Sequence, residues 1–203
     1  MADGDMADGD MMEGEPHTFT VTIENLTDST DVPTPLAPGV AVAHSPDSNV
    51  FEPGSQASAG LEALAEDGSP DIFGAETGGT VFAVPTSGAD PAPAVPGDSY
   101  TFEITATDGH VLTFATMFVQ SNDWFFAPQA GIELFDADGR PISGDVTDQI
   151  YLWDAGTEAD QTPGEGADQA PRQAGPNTGD VDPENEIRMV EPANGIQVTI
   201  QAN

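Results

Sequence analysis

The chain has 203 residues, with 36 Asp and Glu against three Arg, no Lys and no Cys, and a formal charge of −33. Three arginines cannot build a phosphate-binding face, which excludes nucleic acid as a partner, and the missing cysteines exclude disulfides, thiolate metal sites and a thiol nucleophile. Such a chain repels itself in dilute salt and suits molar salt, where the screening length falls from about 30 Å at 0.01 M to about 3 Å.

Residues 1–16 are acidic, carry the unit Met-Ala-Asp-Gly-Asp twice and lack apolar periodicity, which predicts a disordered N-terminal tether. They show no basic n-region followed by an apolar h-region, so no signal peptide is visible. Residues 17–203 read as one domain, within the ~200–250 residues of a single all-β unit. Phe19, Val21 and Ile23 alternate with Thr20, Thr22 and Glu24, the period of two that turns one strand face inward. Residues 28–39 form a Pro-rich loop, and Val40–Ala43 a short strand. The Ala- and Leu-rich segment 56–66 predicts one short helix, stopped by Gly68 and Pro70. Thr80–Val84 is a further strand, and the four prolines of residues 85–98 mark a connector.

Tyr100–Val119 reads as a hairpin turned at Asp108-Gly109. Its return strand is apolar on both faces, with Leu112, Phe114 and Phe118 on one and Val111, Ala115, Met117 and Val119 on the other. A strand covered on both sides is central to its sheet. Strands follow at Ile132–Phe135, Gln149–Trp153, Ile187–Val190 and Ile196–Ile200, with a turn at Asp138-Gly139 and a long Gly/Pro/Asn/Asp-rich segment at 155–185. The pattern predicts an all-β fold, an antiparallel β-sandwich of about eight strands. No segment reaches the ~18 apolar residues of a membrane span.

For catalysis the signals are weak. His17, His44 and His110 lie at the tail boundary, in a loop and in a hairpin turn, there is no Gly-x-Ser-x-Gly elbow, and a carboxylate pair for glycoside hydrolysis is expected by chance among so many acids. Metal binding has more to support it. A hard cation such as calcium takes six to eight oxygen ligands, which loops supply readily. Asp123 follows the central strand and precedes Trp124-Phe125-Phe126. Asp154 ends an apolar strand, and Glu158 stands four residues on, across Gly156. On spacing alone these acids serve either as ligands or as turn residues bonded to backbone N–H groups. Asp136-Ala137-Asp138-Gly139 lacks the remaining positions of a calcium loop and reads as a turn. Asn25-Leu26-Thr27 matches the glycosylation acceptor pattern.

At these loops the chain resembles a known family. Ser121-Asn122-Asp123-Trp124-Phe125 and Leu152-Trp153-Asp154-Ala155-Gly156-Thr157-Glu158 are similar to two motifs of the F-spondin amino-terminal domain, the spondin_N family. Pro35–Gly39, Ala57–Glu62, Gly144–Asp148 and Gln169–Asn177 resemble its prokaryotic branch. The resemblance implies a sandwich similar to calcium-dependent lipid-binding modules, and an extracellular or cell-surface setting. It implies a calcium (Ca2+) site on Asp123, Asp154 and Glu158, with Glu158 replacing an aspartate. Asn122 replaces a proline and is expected to loosen its loop. The implied role is a non-enzymatic binding or adhesion module whose partner is a surface or matrix component, protein or glycan. A polysaccharide-acting enzyme is the alternative.

Overall fold

The computed structural model describes residues 14–83 and 92–203. The predicted tether therefore falls almost wholly outside the described residues, as do Val84 of the predicted third strand and residues 85–91 of the connector. The sandwich is present, and two antiparallel sheets carry it. The smaller sheet orders its strands β4 (Ser99–Ala106), β1 (His17–Asn25), β11 (Ile196–Ala202) and β8 (Gly144–Asp145). The register of β1 against β11 runs from Phe19 opposite Ala202 to Asn25 opposite Ile196. In the larger sheet the order is β10 (Arg188–Pro192), β9 (Ile150–Asp154), β6 (Trp124–Pro128), β5 (Val111–Met117), β2 (Gly39–His44) and β3 (Thr80–Phe82). The short β7 (Ile132–Glu133) pairs with the start of β5.

Eleven strands are thus described where about eight were expected. The two not predicted are β8, which is two residues long, and β6, whose sequence Trp-Phe-Phe-Ala-Pro has no alternation because four of its five residues are buried. The predicted hairpin at 100–119 is also corrected. Asp108-Gly109 does turn the chain, with Gly109 at φ 84°, but β4 pairs with β1 and β5 pairs with β2, β6 and β7. The turn carries the chain from one sheet to the other. A tight-turn dipeptide sets local reversal and says nothing of which neighbour each strand takes. The two-sided strand is central, as its pattern required: every residue of β5 is buried.

That burial has two sources. Between the sheets lies one apolar cluster, with Phe19, Val21 and Ile23 of β1, Leu112 and Phe114 of β5, and Phe126 and Leu152. On the outer face of the larger sheet a second cluster joins Ala115, Phe125 and Trp153 to Leu61, Leu64 and Ala65 of a helix. Burying each of the large side chains contributes about 1.5–3 kcal/mol. The helix is α1 (Ala59–Asp67), opened by Ser58, whose Oγ accepts the Leu61 N–H at 3.1 Å, and closed by Gly68 at φ 65°. A second helix, α2 (Asp71–Thr77), was not expected. Pro70 was read as a stop, yet proline is also well placed to open a helix, where no N–H is needed. The two helices pack closely, since a Cβ at Gly60 would lie 2.6 Å from the Phe73 backbone.

Two smaller features are resolved. Asn25 is fully buried; its Nδ2 donates to Thr34 O (2.9 Å) and Ala94 O (2.8 Å) and its Oδ1 accepts from Thr27. Both amide hydrogens are used inside the fold, so Asn25 is a structural residue rather than a glycan acceptor in the folded chain. Asp136 Oδ1 accepts the N–H groups of Asp138 and Arg140 at 2.9 Å, which makes this segment a turn, as read. No helix among the described residues is long and apolar enough to cross a membrane.

Candidate metal centre

β6 and β9 are antiparallel, with Trp124 opposite Asp154. That register places Asp123, one residue ahead of β6, beside the chain leaving β9, and the Ala155 N–H donates to Asp123 O at 3.0 Å. The loop after β9 then folds back over Asp123. Gly156 in that loop, at φ 67°, lets it run close against the segment before β10, because a Cβ there would lie 2.3 Å from Glu186 O. The aromatic neighbours pack into the core: Phe125 and Trp153 under α1, Phe126 between the sheets, Trp124 partly buried against that same cluster.

Asp123, Asp154 and Glu158 are all buried, at 0%, 3% and 3% exposure. Asp123 Oδ2 accepts from Thr157 N (2.9 Å), Glu158 N (3.1 Å) and Thr157 Oγ1 (3.3 Å), and Oδ1 accepts from Asn122 Nδ2 (2.9 Å). Asp154 Oδ1 accepts from Gly156 N at 2.6 Å, and Oδ2 from Arg188 Nη2 at 2.7 Å. Glu158 Oε1 accepts from Gly179 N at 2.9 Å, while its Oε2 is buried without a donor. The structure thus brings Asp123 and Asp154 together. It joins Glu158 to Asp123 through the backbone, with the Glu158 carboxylate turned toward Gly179. The turn reading holds here, since each of the three acids accepts a backbone N–H.

Asn122 does the opposite of what was expected of it. It is buried, and besides bonding Asp123 it accepts from Gln161 N at 3.3 Å and donates to Glu158 O at 3.4 Å. It knits the two loops where a proline, with no side-chain donor, would not.

The charges at this end are unbalanced. Burial, then the charge of Asp154, pushes the Asp123 carboxyl up, against the pull of the Glu158 and Thr157 donors. Burial also pushes Asp154 up, and Arg188 and the Gly156 N–H draw it back. Glu158 is raised by burial, relieved by Gly179 N–H and raised again by Asp168, Asp67 and Glu62. Arg188 is the one cation among the described residues that pairs with any of the three, and it also serves Asp182 (2.8 Å), Glu184 (3.4 Å) and Asp160 (3.7 Å).

Sequence reasoning missed Arg188, Thr157 and Glu66. Arg188 had a signal: in a chain with three cations, each one has a reason to be there. Glu66 had a faint one, an acid in the last turn of a helix, where the dipole favours bases. It is 2% exposed on α1, and burial pushes its carboxyl up to about 7, relieved by the Thr157 hydroxyl and reinforced by Glu158, Glu62 and Asp123.

By donor chemistry the set fits a hard cation: buried carboxylates in excess of cations, with an oxygen lacking a donor. The side chains are not gathered around a point, and no group of three or more His, Cys, Asp or Glu among the described residues is arranged to hold an ion. Residues 30–174 match the protein-family model described as Spondin_N. No curated protein matches the chain.

Proposed function

Since the chain belongs to the Spondin_N family, whose members point to extracellular binding or adhesion, we propose that it is a secreted or cell-surface binding module. A calcium ion at Asp123, Asp154 and Glu158 fixes the loops at one end of its sandwich. The observation that carries this reading is Asp123: a fully buried carboxylate beside a second one, with no cationic side chain of its own. Leaving a charge so placed uncompensated costs several kcal/mol, and a divalent ion offsets that cost. When bound, calcium supplies charge neutralisation and cross-linking, not chemistry on a substrate. Asp123 holds the returning loop by its N–H groups, Asp154 is held by Arg188, and Gly179 orients Glu158. The partner is a surface or matrix component, protein or glycan, met by the loops so ordered. The family is not one of known enzymes, and acids buried this deeply give a polysaccharide no access, so the enzymatic alternative has nothing to favour it.

The test is thermal unfolding of the chelator-stripped protein with and without calcium, at constant molar NaCl. An ion at ~100 times its Kd adds about 2.7 kcal/mol. For a domain of this size that raises Tm by roughly 5–11 °C. Asp123→Asn abolishes the difference. A midpoint indifferent to both chelator and calcium, with no heat of binding by calorimetry, overturns the reading.

A further inference from the structure

A cleft of about 290 Å³ opens beside the candidate centre. That is at the lower bound of the ~300–1,000 Å³ range of small-molecule sites, room for a single ring-sized unit. Its floor is carbon, from Val32, Phe118, Trp124, Leu152 and Pro163. The rings of Phe118 and Trp124 stand 6.2 Å apart, centroid to centroid. Trp124 is partly exposed, yet its indole Nε1 is buried and has no acceptor. Its backbone N–H donates to Ser121 Oγ, and its carbonyl accepts from Phe118 N–H. What Trp124 shows to the cleft is therefore carbon. The polar groups come from Thr30, Asp31, Glu191 and Asn194. The walls are held from behind. Gly164 N–H donates to Gln120 O at 2.8 Å, and a Cβ on Gly164 would lie 3.3 Å from Val32 Cγ1, so the segment after Pro163 runs against the loop before β2. Leu26 N–H donates to Gly195 O at 2.8 Å, which pins the β10–β11 connection beside Asn194. Trp124 lies directly opposite Asp154, and opposite residues project from the same sheet face. The floor of the cleft and the candidate centre share one strand pair.

The chemistry of the cleft selects its occupant. No Arg, Lys or His lines it among the described residues, so phosphate, sulfate and carboxylate groups find no counter-charge. Ionised carboxylates only accept hydrogen bonds, so a ligand must bring donors to Asp31 and Glu191. Those donors are either cationic nitrogens or hydroxyl groups. Both acids are exposed, and in the molar salt that suits this chain their field is screened within ~3 Å. A cationic side chain gains little from an exposed ion pair under those conditions. Hydroxyl groups do not depend on that field. A sugar ring carries hydroxyls around its edge and C–H groups on its face, which match carboxylate and amide at the rim and aromatic carbon below. We infer that this cleft is a saccharide site, taking one neutral sugar unit of a surface or matrix glycan. The C–H face of the sugar lies on Trp124, and its hydroxyls meet Asp31, Glu191 and Asn194. This rests on the reading of the chain as a surface binding module and names its partner; none of Asp123, Asp154 and Glu158 lines the cleft.

The experiment is a titration of the full chain in molar NaCl with calcium chloride, followed by tryptophan fluorescence and calorimetry. The probes are neutral hexasaccharides of glucose, galactose and mannose, with hexalysine as the cationic comparison. Trp153 is 1% exposed and packed under α1, so protection from acrylamide quenching reports on Trp124. At least one neutral hexasaccharide is expected to bind with a Kd of ~1 mM or below, and to shield Trp124. Glu191→Ala, an exposed change that leaves the core intact, is expected to weaken that binding ~10-fold, as loss of a hydrogen bond to a charged group does. Trp124→Ala is expected to weaken it at least as much. Asn49→Ala, in a separate cleft lined by His44 and Phe51, is expected to change affinity less than ~2-fold. Binding lost in Asn49→Ala and kept in Glu191→Ala puts the sugar in that other cleft, and the inference falls. It also falls if affinity is unchanged in both Glu191→Ala and Trp124→Ala, if hexalysine binds and no neutral sugar does, or if no probe binds. Calcium-dependent melting without sugar binding leaves the calcium reading standing and overturns this one. Sugar binding in a protein whose melting ignores calcium does the reverse.

Discussion

Arg188 faces Asp154 across the β9–β10 pair, and its guanidinium donates to Asp154 Oδ2 at 2.7 Å. One guanidinium thus ties β10 and the segment before it to the strand that ends in the candidate centre, with Asp182 bonded to its other nitrogen at 2.8 Å. The contact is partly open to water, with 31% of the Arg188 side chain exposed, and that moderates its worth.

Arg188→Gln is expected to destabilise the stripped protein by about 3 kcal/mol, because Asp154 stays buried and loses its counter-charge. Calcium is expected to recover part of that loss. Urea unfolding at constant salt, with and without the ion, measures both numbers; a variant as stable as wild type refutes the first.

In the stripped protein, stability is expected to fall as pH rises from about 5 to about 7. The folded-state carboxyl of Glu66 lies at about 7, above its ordinary value, and Asp123 is shifted the same way. The native state therefore holds protons that the unfolded chain has already lost. Stability is greatest below the unfolded value and is lost as pH climbs through the folded one. The slope is at most about 1.4 kcal/mol per pH unit for each group. Glu66→Gln flattens its share, and a profile rising over that range contradicts the assignment.

Gly156→Ala is expected to cost about 1–3 kcal/mol, from positive φ and from contact with Glu186 O. Calcium affinity falls with it, since the returning loop delivers the N–H groups that hold Asp123. Gly175→Ala, where nothing lies within 4 Å of an added Cβ and φ is ordinary, is the control. Melting curves for the pair separate backbone strain from a general effect of added bulk.

Asn25→Asp is expected to cost about 2–4 kcal/mol, since Thr34 O and Ala94 O lose their donors and face a carboxylate. Circular dichroism during urea unfolding reads this directly. An unchanged midpoint is incompatible with the buried network.

Dilution from molar to 0.05 M NaCl is expected to lower Tm, because 33 net negative charges are then no longer screened from one another. A midpoint independent of NaCl between those limits contradicts the repulsion argument.

Period-two alternation made β1, β4 and β11 legible, because each has one face on the core and one toward water, as Phe19, Val21 and Ile23 show. It failed at β6, which is buried on both faces, and at β8, which is too short to have a period. Pairing lies beyond local pattern altogether, and so the Asp108-Gly109 turn read as a hairpin although it joins two sheets. At the candidate centre Asp123 and Asp154 were legible from aromatic motifs at strand ends. Glu66 was not, because its burial comes from a helix packed on the sheet, and no local spacing announces that packing.

The pairing of Phe19 with Ala202 has a consequence for how the smaller sheet comes apart. β1 is nine residues long, roughly 30 Å, and Asn203 N–H donates to Thr18 O at 3.0 Å. Asn25, at the strand's far end, is linked through Thr34 to Gln120 and so to the acid-bearing loops. The first and last strands of the smaller sheet are thus paired over seven residues, from Phe19 opposite Ala202 to Asn25 opposite Ile196, so neither can peel away without opening that sheet.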